Sequence, residues 1–107
     1  MSADEKKVFQ ARVDAAATAA KGEITKTTDP AQAQAAEDTG KKAIADVALA
    51  AAKTDADKAI DQAAADVKKV IEAQPNLSAD EKKAAQAEVD AAATAAKGEI
   101  AKATDPA

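Results

Sequence analysis

The twelve residues VDAAATAAKGEI occupy positions 13–24 and return unchanged at 89–100. The match widens on both sides: Ser2 to Ala31 superposes on Ser78 to Ala107 at an offset of 76 residues, with 25 of 30 positions identical. Self-similarity at a fixed period of this size marks a repeat array, in which one supersecondary unit recurs and neighbouring units bury one another's apolar faces. On that period the 107-residue chain holds about 1.4 repeats.

The duplicated segment reads as an amphipathic helix. Ser2-Ala3-Asp4-Glu5 and Ser78-Ala79-Asp80-Glu81 both have the S-x-x-E form of a capping box, where the serine oxygen and the glutamate carboxylate satisfy each other's free backbone amides. Behind the first box, Phe9, Val13, Ala16, Ala17, Ala20 and Ile24 recur at spacings of three and four, the helical period. Helix A is predicted over about 3–27 and its copy over about 79–103. Thr28-Asp29-Pro30 then places a cap residue before a proline suited to a first helical turn, with Gln32 completing a box-like pattern. This opens helix B, predicted over about 30–53. Its inward face is Ala33, Ala36, Gly40, Ile44, Val47 and Ala51, and Glu37–Lys41 and Asp38–Lys42 form i,i+4 pairs on the outer face.

Around Thr54 to Asp57 the apolar phase slips, and the next register is Ala56, Ile60, Ala63, Val67 and Val70 or Ile71. Two alternatives stay open. Thr54 caps a third helix, C, over about 55–74, or B and C run on as one helix, since neither Gly nor Pro interrupts them. Pro75 ends the segment by pushing the preceding residue out of the helical region, and QPNLS forms a turn. The reading is all-α: an elongated antiparallel bundle repeat of three helices over 2–75, with the first helix of the next repeat in 76–107. Thr104-Asp105-Pro106-Ala107 stands where a further helix B would open.

Alanine supplies 35 residues and only 15 larger apolar side chains remain, so the core is expected to be thin. Leu, Ile, Val and Phe together make about 13% of the chain, a level that elsewhere accompanies disorder. Alanine, however, is the best helix former and loses no side-chain entropy on ordering. Folded helices are therefore expected, their axes close together, with Gly22, Gly40 and Gly98 at the nearest approaches.

The same composition excludes much chemistry. Without Cys, His, Trp or Tyr there are no disulfides, no thiolate or imidazole metal sites and none of the usual nucleophile–base pairs. A net charge of -4 and interspersed acids speak against a nucleic-acid footprint. No apolar run is long enough for a membrane span, and the N-terminus lacks a signal peptide's apolar core; a secretion signal and anchor are expected outside this stretch. Asp55, Asp57 and Asp61 suggest calcium, but Ala59, Ile60 and Asp66 stand where a calcium loop needs an oxygen ligand, glycine and glutamate. The Lys-Lys pairs at 6–7, 41–42, 68–69 and 82–83 read as a solvated face, neutralised by neighbours and without interleaved aromatics. Carboxylate pairs would need burial to work as acid and base, and Ser2 and Ser78, the only serines, are used as caps. Asn76-Leu77-Ser78 fits the short N-x-S glycosylation pattern. The period of 76 also departs from the 11-residue repeats of desiccation proteins and ice-binding helices. No enzyme, cofactor or metal site is expected; the distinguished residues, Ser2, Glu5, Asp29, Pro30, Thr54, Ser78 and Glu81, are structural caps.

Three stretches carry a resemblance: NLSADEK at 76–82, AEVDAA at 87–92 and GKKAIADV at 40–47. Joined in register they resemble the alanine-rich helical repeats of roughly 75 residues, a domain of unknown function, in wall-anchored surface proteins of Gram-positive bacteria such as SasC, Mrp and Ebh. The resemblance implies a stalk of an extracellular adhesin linked to attachment and biofilm, anchored to the cell wall, with neighbouring repeats as partners and no catalytic residues. Helices of about 25 residues span roughly 37 Å each, so repetition would gain length. Two other functions compete: a helical module binding a host plasma or matrix protein, and self-association. For the former, Phe9 and Arg12 are the available anchor residues, replaced in the second copy by Ala85 and Glu88. Neither nucleic acid nor membrane is expected as a partner.

Overall fold

Three helices order the described residues, 1–105, of the computed structural model: α1 (Ala3–Thr25), α2 (Pro30–Glu72) and α3 (Ala79–Lys102). The all-α expectation holds. Each helix begins where a local signal places it. Asp29 Oδ1 accepts the Gln32 amide at 2.9 Å, and Gln32 Oε1 in turn accepts from the Thr28 amide at 2.9 Å, so α2 opens on Pro30 with its first free donors satisfied. α1 closes earlier than predicted, at Thr25. Its last amides tighten onto carbonyls three residues back, Lys26 to Glu23 and Thr27 to Ile24, and the Thr27 hydroxyl donates to the Ile24 carbonyl at 2.7 Å.

Helices B and C are one helix. The separate boundaries at 53 and 55 do not exist, and Thr54, expected as a cap, is an interior residue of α2. A break would strand up to eight backbone groups, whereas a threonine inside a helix costs only about 0.7 kcal/mol relative to alanine. With no Gly or Pro between 41 and 74, nothing offsets that difference.

The chain divides into two compact units, one built on Met1–Ala52 and the other on Lys53–Thr104, so the first part of α2 serves one and the remainder the other. This partition differs from the expected 2–75 and 76–107. In the first unit α1 runs antiparallel to residues 30–52: Ala20 meets Gly40, while Phe9 and Val13 share a hollow with Val47 and Ala51. Residues 33, 36, 40, 44, 47 and 51 do face inward, with Gly40 and Val47 buried. In the second unit residues 53–72 run antiparallel to α3, with Asp61 opposite Lys97 and Lys68 opposite Asp90.

Val47, still 8% exposed, is the one buried apolar side chain larger than alanine among the described residues, so the thin core is real. The predicted register of 53–72 holds at Ala56, Ile60 and Ile71 and needs correction at Ala63 and Val67. Ile60, Ala64, Lys68 and Ile71 are half-buried, while Ala63, Val67 and Val70 are exposed, Val70 to 59%. Lysine stems and alanine methyls cover apolar neighbours as well as valine does when the head group reaches water or a partner, and Lys68 and Lys97 both do so here.

Candidate interaction surfaces

The distinguished serines and glutamates form two matching capping boxes. Ser2 Oγ accepts the Glu5 amide at 3.1 Å and Glu5 Oε1 accepts the Ser2 amide at 3.0 Å; Ser78 and Glu81 repeat this at 3.1 and 2.9 Å. The Ser78 amide, and then its hydroxyl, hold the Glu81 carboxyl below the usual range by bonding its charged form. These groups end helices and face no cavity.

Gly40 marks a close approach of two backbones. A Cβ added there would stand 2.6 Å from Ala20 Cβ, closer than two carbons can come, so the seam between α1 and residues 30–52 requires a hydrogen at position 40. Gly22 and Gly98, expected at similar approaches, have open space around them. Both lie on the outer side of their helix.

Residues 53–72 and α3 are joined instead by charge. Besides the Asp61–Lys97 and Lys68–Asp90 pairs, Lys53 Nζ donates to the Ala101 carbonyl at 2.9 Å and Lys82 Nζ to the Glu72 carbonyl at 2.8 Å. Each lysine thus satisfies a C-terminal carbonyl of the opposing helix, where the helix dipole favours a cation. Gln86 adds a bond to Glu72 Oε2 at 3.1 Å. The hydrogen bond to Asp61, with the charges of Asp61 and Asp57 behind it, raises the Lys97 ammonium above its ordinary range.

The acidic and basic clusters serve the same ends. Asp61 is taken by Lys97, and no group of three or more potential ligands gathers among the described residues. Of the lysine pairs, Lys41 meets Glu37 at 3.5 Å and Lys42 meets Asp46 at 3.2 Å. The expected Asp38–Lys42 pair is absent because Asp38 accepts from Gln34 at 3.0 Å and Lys42 reaches forward. Arg12 lies over the Phe9 ring at 5.1 Å.

What remains open is apolar. A groove of about 380 Å³ runs beside the second unit's seam, lined by Ile60, Ala63, Val67, Val89, Ala92 and Ala96 among others. Sequence patterning had marked most of these as core. Residues 52–107 match the family described as Domain of Unknown Function (DUF1542). The chain belongs to this family. The DUF1542 match coincides closely with the second compact unit, Lys53–Thr104, so the matched stretch of this chain pairs the end of a long helix with the capped helix that follows. No curated protein and no solved structure matches the chain. Among the described residues no helix is long and apolar enough to cross a membrane.

Proposed function

We propose that this DUF1542 chain is a non-catalytic spacer: a segment of the stalk of a bacterial surface adhesin, held at the cell wall in its parent protein and serving adhesion and biofilm by setting distance. The observation that carries the reading is the repeat itself, since a 76-residue period delivers the same capped helix twice, as α1 and α3, with 25 of 30 letters conserved between copies. Repetition of a unit that has no pocket chemistry adds reach and neighbouring-unit contacts, and nothing else. The exposed surface supports this, because its charges are paired locally along the helices, as with Lys26–Glu23 and Lys102–Glu99, and present no single-sign field.

Small-angle scattering on chains of one, two and four repeats tests it. The maximum dimension is expected to grow by a nearly constant increment per repeat; a dimension that levels off rejects the spacer.

A further inference from the structure

The open groove of the second unit has an occupant that the molecule itself identifies. We propose that it receives a helix of the type seen at residues 30–52, contributed by the next copy of the repeat, so that each capped helix is shared between two partners. This rests on the tandem-repeat reading above and names the contact that would join one repeat to the next.

The argument begins with identical letters that are buried differently. Lys6, Gln10, Lys21 and Ile24 are exposed in α1, whereas their copies Lys82, Gln86, Lys97 and Ile100 are half-buried in α3; Ala16 and its copy Ala92 show the reverse. At about 100° per residue, the covered face of α3 is turned roughly 50° from that of α1. One face holds a segment like 30–52 and the other a segment like 53–72. Three helices of equal width in mutual contact see their partners about 60° apart, so a single capped helix can hold both at once.

Residues 53–72 show a matching vacancy. Their half-buried positions, Ile60, Ala64 and Ile71, face α3, while Ala63, Val67 and Val70 lie roughly 75° to one side, with Val67 exposed to 47% and Val70 to 59%. Because this segment and α3 are antiparallel, the two displacements turn toward the same side of the pair, and the groove lined by Ala63, Val67, Ala92 and Ala96 lies there. In α1, the copies of Ala92 and Ala96 are Ala16 and Ala20; Ala20 meets Gly40 across the seam, and both alanines border a groove with Ala36 and Gly40. Thr104-Asp105 repeats Thr28-Asp29, the turn that leads α1 into its partner. A helix following α3 by the same turn would dock on α3 as residues 30–52 dock on α1, and would cover Val67 and Val70.

The chain contains no cysteine, which allows a direct test. Ala63→Cys and Val67→Cys are made singly in the 107-residue chain and in the first copy of a two-repeat chain (residues 1–77 followed by residues 2–107). Labelling by a thiol reagent is expected to be fast in the short chain and at least about tenfold slower in the long one, as for a site that opens only by local unfolding. Ala65→Cys, on the far side of the same helix, is expected to label equally in both. Equal rates at 63 and 67 in the two chains would overturn the proposal. The outcome is separable from the spacer reading: a chain that lengthens while both thiols stay reactive rejects the docking alone, and protection without lengthening rejects the spacer alone.

Discussion

Lys21 and Lys97 sit at the same place in the same twelve-residue sequence, yet Lys21 stands in solvent and Lys97 lies half-buried against Asp61. The contrast extends along both helices. α1 meets its partner through methyl groups and a glycine, with Ala20 seated against Gly40, while α3 meets its partner through paired charges and lysines that close helix ends. Local sequence determines that each segment is a helix and where it is capped. The neighbour determines which face is inside. A helix rich in alanine can serve two neighbours because its small side chains make almost any face acceptable.

Substitutions at matched positions test how deep the difference goes. The largest effect is expected from Ala20→Leu, which would force a bulky side chain into the Gly40 seam and cost about 2 to 3 kcal/mol; Ala96→Leu, at the same repeat position but beside an open groove, is expected to cost under about 1 kcal/mol. Denaturant midpoints of the two variants would be compared, and equal losses would mean that the two faces are not distinct. Gly40→Ala comes next. Its clash should outweigh the propensity gain and lower stability by about 1 kcal/mol, whereas Gly22→Ala and Gly98→Ala, with nothing near, should each raise it by about 0.5 to 1 kcal/mol. Thermal melts are sufficient to see the opposite signs.

The caps should behave alike where the faces do not. Ser2→Ala and Ser78→Ala are each expected to remove about 1 kcal/mol, since their geometries are nearly superimposable; a large asymmetry would point to a neighbour acting on one of them. The smallest effects involve titration. Lys97→Ala should lower stability slightly, as for an exposed ion pair, and Lys21→Ala should leave it unchanged. The folded Lys97 is raised, so its contribution is fully present below the unfolded lysine value and fades as pH rises through the folded one, in the strongly alkaline range. Glu81 is lowered, so its contribution is present above the unfolded glutamate value and is lost as pH falls through the folded one. Glu81→Gln should flatten the acid side of the stability profile and Lys97→Ala the alkaline side.

The start of every helix was legible because caps and prolines act over four residues, and Ser2, Asp29 and Ser78 all stand at their boundaries. The inward face of residues 30–52 was legible too, since Ile44 and Val47 contrast with the lysines and acids around them. Farther on, the contrast fades. Val67, and Val70 as the alternative to Ile71, read as core because they follow Ile60 at helical spacing, but a single partner helix covers only one flank, and Lys68, paired with Asp90, takes that flank instead. Thr54 read as a cap because threonine favours that role in general, although nothing there stops a helix. The glycines could not be sorted by sequence, since only the path of the opposing chain distinguishes Gly40 from Gly22.

A core whose one buried apolar side chain among the described residues is Val47 also governs how the molecule meets heat and cold. Unfolding it wets little new hydrocarbon, so the heat capacity rises less than the usual ~12 to 15 cal/mol/K per residue. The free-energy dome is correspondingly shallow and wide. Such a chain gains little strength at any one temperature and loses it slowly, melting over a broad interval and resisting cold unfolding.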